Sequence, residues 1–357
     1  MARACALRRG CFESLEQRQL LAGDVVLNVV DGNLTIQGDA LDNKIMVTAG
    51  AEAGSFVITG LDTTTVHEEG QPATTDPVTV TGVKNIRAAL GEGNDLIAVV
   101  GANVRGRLGI RTGAGDDRVL VGTGGDAAEL VGQLPSDVSV SVRGSVAIGT
   151  NGGNDEVSVD NAMIGGHLGV HAGIGNDTVS LGTATDDALS ARVRARGVHV
   201  DLGAGNDELN MHQLIVRGGV VARGGSGEDA LNASRIKAVA VVAITDGGMD
   251  AVEMSELHAS HLGVHTGEGN DTVDIRDSGF AAFGISLGAG NDMLTTSALA
   301  ARLGVMLGGD GEDTFEVVSD NNIAHEVIQG FEIPPDVNVN GLPFGRRPLA
   351  RLLSRLR

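Results

Sequence analysis

The stretch His261–Ile275, "HLGVHTGEGNDTVDI", decides how the chain is read. It holds two histidines, a pair of glycines around Glu268, and an Asn270-Asp271 step that runs into alternating apolar residues. These features suit a metal site, a phosphate-binding glycine loop, or one turn of a repeat. A near copy, "HLGVHAGIGNDTVSL", occupies 167–181. Repetition is therefore the first reading to test, because a fixed period changes the meaning of every local motif within it.

Aligned on the aspartate that closes G-x-G-N-D, the chain presents Asp95, Asp117, Asp155, Asp177, Asp207, Asp229, Asp250, Asp271, Asp292 and Asp313, spaced by 22, 38, 22, 30, 22, 21, 21, 21 and 21 residues. Apolar residues recur around each one with a period of two: Leu262 and Val264 before Asp271, Val273 and Ile275 after it. That period belongs to strands, not helices. Each unit thus reads as strand, glycine turn, strand, second turn. Two short strands cannot bury an apolar face alone, so the units must stack, and the expected fold is all-β, a parallel β-solenoid. An earlier degenerate coil, "GNLTIQGDALDNKIMV", keeps Leu34, Ile36, Ile45 and Val47 in place but has Asn43 at the aspartate position. The expectation is about eleven coils of 21–22 residues, a rod roughly 50 Å long at the ~4.8 Å strand spacing.

Where the spacing exceeds 22, the extra residues follow the second strand: "GTGGDAAELVGQLPSD" at 122–137 and "GTATDDALSAR" at 182–192, with a Thr-rich excursion, "TTTVHEEGQPATTDP", nearer the start. One edge of the solenoid tolerates length change and the glycine edge does not. The expected organisation is an N-terminal export segment over 1–23, the solenoid over 24–335, and a basic tail or cap over 336–357.

Composition agrees with a thin, stacked core. The 357 residues include 54 Gly, 7 Phe and neither Trp nor Tyr, so packing falls to Val, Ile, Leu and Ala. The net charge of -20 opposes nucleic-acid phosphates and favours cations. The two cysteines, Cys5 and Cys11, lie near the start, so the solenoid holds no disulfide and needs another staple if exported. No apolar run approaches the ~18 residues that span a bilayer. Within "FESLEQRQLLAGD", Leu15, Glu16, Arg18, Leu20 and Leu21 resemble the L-E-P-R-x-L-L motif near the N-termini of many large bacterial surface proteins, with Gln17 in place of the proline. That resemblance implies export.

Stacked in register, the aspartates form a column of carboxylates about 4.8 Å apart, each pair repelling by roughly 0.9 kcal/mol even in bulk water. A cation between turns would relieve it, and Ca²⁺ suits an all-oxygen site of carboxylates and carbonyls. The pattern G-x-G-N-D-x-V-x-I resembles the RTX nonapeptide G-G-x-G-x-D-x-U-x, whose glycine turns bind calcium. Carried over by position, the resemblance implies calcium ligation by Gly91, Gly93, Asn94 and Asp95, by Gly113, Gly115, Asp116 and Asp117, and by Gly153, Asn154 and Asp155. It continues through Gly173, Gly175, Asn176 and Asp177, then Gly203, Gly205, Asn206 and Asp207. The remaining turns give Gly227 and Asp229, Gly267, Gly269, Asn270 and Asp271, Gly288, Gly290, Asn291 and Asp292, and Gly311 and Asp313. Unlike a β-roll with such turns on both edges and an 18-residue coil, this chain has one glycine edge and a longer coil, so one row of ions is expected. The turns at Asp229, Asp250 and Asp313 depart from the motif, with Glu228, Met249 and Glu312 before the aspartate.

Other motifs read as structure. His167, His171, His261 and His265 have the parity opposite to the apolar positions and point to solvent, and the two pairs lie about four coils apart. The glycine turns lack a following helix and a Walker lysine, which excludes a phosphate loop. An ice-binding threonine array is absent, since the turn position between the glycines holds residues such as Glu92, Ala114 and Ile174. The tail "GLPFGRRPLARLLSRLR" places leucines at helical spacing among arginines and reads as a basic amphipathic helix that caps the open end. The expected function is that of a calcium-stabilised, non-enzymatic extracellular structural or adhesive surface protein, with an envelope or matrix polysaccharide or protein as partner and the insertion-bearing edge as its binding face. The alternative is a carbohydrate-active β-helix enzyme resembling polysaccharide lyases.

Overall fold

The computed structural model describes residues 23–122, 139–182 and 193–332. Its regular structure is entirely strand, numbered β1 to β32 in chain order. The export motif, most of both insertions and the basic tail lie outside the described residues.

The coil that contains the opening stretch shows how the fold is made. β26 (His258–Glu268) enters the glycine turn, β27 (Thr272–Arg276) leaves it, and β28 (Gly279–Ala289) begins the next coil. β26 pairs in parallel with β28, Leu262 beside Phe283 and Val264 beside Ile285. β27 does the same with β29 (Met293–Ser297), Val273 beside Leu294. Because side chains alternate across a strand, this register puts the apolar set of every coil on the inner face. All of these side chains are buried in one continuous core that runs from Val25 to Phe315. The fold is a parallel β-solenoid of about ten turns, with glycine turns on one edge from Asn43 to Asp313.

The coil is not two-stranded throughout. In the first half a short strand intervenes: β8 (Leu96–Val100) is followed by β9 (Asn103–Val104), a bend at Arg105-Gly106, and then β10 (Leu108–Ala114). The change comes between β21 (Leu214–Val216) with β22 (Gly219–Ser226) and the continuous β24 (Lys237–Gly247). Ile215 pairs with Lys237, an offset of 22, yet Gly219 pairs with Ala240, an offset of 21. Arg217 and Gly218 are matched by Val239 alone. Loss of one bend residue fuses two strands into one of 11 residues, and the sequence period falls from 22 to 21 at the same place.

The first coil, β2 (Asn33–Gln37) and β3 (Lys44–Ala49), stacks on β7 (Asn85–Glu92) and β8, with Leu34 beside Ile86 and Ile45 beside Ile97. Its outer side is closed by strands of the opposite sense. β1 (Asp24–Val30) runs antiparallel to β2, and β4 (Phe56–Gly60) runs antiparallel to β3 and to β6 (Val78–Val80). The Thr-rich excursion is thus part of a cap. Within it β5 (Thr65–Glu68) pairs with β1 and buries Val66 completely. Antiparallel partners cover a rung that would otherwise offer an open edge.

Candidate metal centre: the aspartate column

The glycine edge is built from two columns of glycine. Four residues before each aspartate, Gly91, Gly113, Gly173, Gly203, Gly225, Gly267, Gly288 and Gly309 have φ between +108° and +129°. Two residues before it, Gly93, Gly115, Gly153, Gly175, Gly205, Gly227, Gly248, Gly269, Gly290 and Gly311 have φ between +110° and +144°. Coils stack so closely here that a Cβ on Gly269 would lie 1.6 Å from the Gly248 carbonyl oxygen. Asn151 (φ 74°) and Asp246 (φ 68°) fill the first-glycine place in their coils, as residues that tolerate the left-handed region. Gly225, Gly248 and Gly309 belong to these columns although their turns depart from the motif, because their offsets from Asp229, Asp250 and Asp313 are those of the regular turns.

All ten aspartates are brought together in one buried column, with relative exposures of 1–3%. Their side chains turn into the edge. Oδ1 of each accepts the backbone amide of the aspartate one coil earlier: Asp95 to Asp117 and Asp117 to Asp155 at 2.8 Å, Asp177 to Asp207 at 2.7 Å, Asp229 to Asp250 at 2.9 Å. Asn43 begins the ladder by donating its amide to Asp95 Oδ1 at 2.7 Å, which fits its reading as a degenerate member.

The neighbouring asparagines form a second ladder of opposite sense. Oδ1 of Asn154 accepts the amide of Asn176, and Asn176 that of Asn206, each at 2.8 Å, so here the acceptor belongs to the earlier coil. The Asn-Asp step therefore ties each coil to both neighbours. Glu228 and Glu312 still donate their amides to Asn206 and Asn291, each at 2.9 Å. The departures from the motif leave the aspartate ladder intact at Asp229, Asp250 and Asp313.

The second carboxylate oxygen is unsatisfied. Oδ2 of Asp95, Asp117, Asp155, Asp177, Asp207, Asp229, Asp250, Asp271, Asp292 and Asp313 is buried and has no hydrogen-bond partner. It faces inward, and a Cβ on Gly224 would lie 2.3 Å from Oδ2 of Asp229. An ionised oxygen without a partner is expensive to bury, so the group must take up a proton or a cation. Burial pushes Asp95 and Asp229 up to about 7 and Asp117, Asp177 and Asp292 up to about 6; carboxylates in adjacent coils add to the rise, and the donated amides oppose it, helped at Asp117 by the Thr112 hydroxyl and at Asp95 by the Asn43 side chain.

The donor set suits a hard cation in part. Each coil offers one free anionic oxygen at its edge, but no group of three or more His, Cys, Asp or Glu side chains is gathered among the described residues. A complete oxygen shell would have to come from turn carbonyls. His167, His171, His261 and His265 stand exposed on the outer face of the long sheet as expected, and His171 meets Asp201 at 3.3 Å. Asp160 is a buried acid outside the repeated motif: it sits opposite the glycine edge, 2% exposed, and burial pushes it up to about 6.

No helix among the described residues is long and apolar enough to cross a membrane. No protein-family model matches the chain, and no curated protein matches it.

Proposed function

We propose that the chain is a calcium-stabilised, non-enzymatic solenoid that serves outside the cell as a structural or adhesive surface component. The observation that carries the calcium reading is the row of ten buried Oδ2 atoms without partners, one per coil on a single edge. The resemblance of the turns to RTX repeats points the same way. In this reading the aspartate Oδ2 atoms and the glycine-turn carbonyls hold the ions, and the ion supplies neutralisation of a carboxylate row that otherwise repels itself. The N-terminal resemblance to surface-protein motifs supports export.

The opposed ladders favour a second reading, in which the column is held by hydrogen bonds and protonation with no ion. Calorimetric titration of metal-stripped protein with CaCl₂, read beside circular dichroism, separates the two. Calcium uptake with a gain in thermal stability at pH 8 is expected. Absence of heat and of any spectral or thermal change at millimolar Ca²⁺ sinks the calcium reading. Shortening of an acidic polysaccharide incubated with the protein would overturn the non-enzymatic reading in favour of a carbohydrate-active β-helix.

A further inference from the structure

The outer face of the long sheet carries a groove of about 920 Å³ near its N-terminal end, lined by three arginines, Arg87, Arg107 and Arg111, and by no carboxylate. All three are exposed. They surround one glycine: Arg87 lies opposite Gly109 on the neighbouring strand, and Arg107 and Arg111 flank it two residues away on either side. By strand geometry the flanking pair stands about 6.6 Å from Gly109 along the chain and Arg87 about 4.8 Å across it.

Two observations set this place apart from an ordinary strand face. First, the chain has 46 acidic residues against 26 Lys and Arg, yet the lining of this groove gathers three arginines and no carboxylate. Arg87, Arg107 and Arg111 form no ion pair with any described residue. Second, the floor is bare without a packing reason. Gly109, Ala147 and Gly169 follow one another across three coils, and a Cβ at Gly109 or Gly169 would meet nothing within 4 Å. Neither has a left-handed φ. Gly284 leaves the same face open farther along the sheet, but at Gly109 the open floor lies among three arginines, which leaves room for a charged ligand to approach the backbone closely.

We infer that this groove binds an extended anionic polysaccharide, its carboxylate or sulfate groups held by Arg87, Arg107 and Arg111 over the Gly109 floor. Guanidinium groups pair with planar or tetrahedral oxyanions through two bonds at once. The other polyanions fit less well. Single-stranded nucleic acid needs stacking platforms, and this chain has no Trp or Tyr. A peptide strand would need a free sheet edge, and this is a sheet face. The groove lies on the face, away from the insertion-bearing edge that sequence alone favoured, and it does not depend on calcium in the column.

The test is binding of the full chain, in calcium-containing buffer, to labelled oligogalacturonate and to labelled heparin-derived oligosaccharide, each too short to gel, with neutral dextran, oligo-dT and polyglutamate as competitors. Expected is salt-sensitive binding to one or both acidic oligosaccharides, which also tells carboxylate from sulfate, with none to dextran. The R87Q/R107Q/R111Q variant should weaken it at least about tenfold. Gly109→Val should fill the groove and weaken binding while the melting temperature holds, and Arg276→Gln, at an ion-paired arginine of the other sheet, should leave binding unchanged. Wild-type affinity in the triple variant, or competition by oligo-dT or polyglutamate as strong as by the oligosaccharides, would overturn the inference.

Discussion

Asp271 donates its backbone amide to Oδ1 of Asp292, one coil on, at 2.8 Å, and leaves its own Oδ2 buried without a partner. The two oxygens of each carboxylate thus have different roles: one is a stacking acceptor and the other is the open position of the column. Substitutions can separate them.

At Asp229, alanine removes both oxygens and strands the buried amide of Asp207, which it accepts at 3.0 Å. The expected cost is about 1–3 kcal/mol, the penalty for an unsatisfied buried donor. Asp229→Asn keeps the acceptor and replaces the orphan oxygen with an amide, as the chain does at Asn43, whose side-chain nitrogen donates to the Leu41 carbonyl at 2.6 Å. In metal-free buffer at pH 8 the asparagine variant should unfold at the same or higher denaturant than wild type. In calcium it should fall below wild type if the ion is held there, and urea titrations in both buffers read the difference.

Stability of the metal-stripped protein should fall as pH rises. Asp95, Asp117, Asp177, Asp229 and Asp292 have folded-state values raised from 3.8 to about 6–7, so the folded chain binds protons more tightly than the unfolded one. Their contribution is fully present below pH 3.8 and is lost as pH passes 6 to 7. Melting temperature in chelator should drop between pH 5 and pH 8. The double variant D95N/D229N should show a smaller drop, and an equal drop would assign the effect to the general charge of -20 instead.

Glycines on the edge and on the face should behave oppositely. Gly269→Ala places a methyl 1.6 Å from the Gly248 oxygen at φ +141°, and no rotamer change can relieve a backbone clash. The expected loss is ~3 kcal/mol or more. Gly284→Ala meets nothing within 4 Å and has no left-handed φ; it should be neutral or stabilise by about 0.5–1 kcal/mol. Circular dichroism melts of the two variants provide the comparison.

The fold was legible because its signal is local and repeated. The offsets of Leu262, Val264, Val273 and Ile275 from Asp271 state both the strands and the inner face, and repetition supplies the stacking. The bend at Arg105-Gly106 was not legible, since Leu108 and Ile110 keep their period of two on either reading; only the slip from 22 to 21 residues marks it. The N-terminal cap was hidden because Thr65–Glu68 pairs with β1, 41 residues earlier in the chain. At the site, residue types announced a carboxylate row. The opposed sense of the two ladders depends on how one coil sits over the next, which no single coil encodes.

Met249 offers the most direct test of the asparagine ladder. It occupies the asparagine place of its coil, is 56% exposed, and has no side-chain oxygen to accept the amide of Asn270. Beyond it the ladder resumes, with Asn291 donating to Asn270. Met249→Asn should restore the rung to Asn270, leaving only the one between residue 249 and Glu228 unmade, remove an exposed apolar side chain, and stabilise by about 0.5–1.5 kcal/mol, nearer the lower figure at a solvated edge. Met249→Ala controls for loss of the apolar chain. If denaturation midpoints of the two variants coincide, the bridging bond contributes nothing, and the asparagines of the motif must be present for their turn conformation alone.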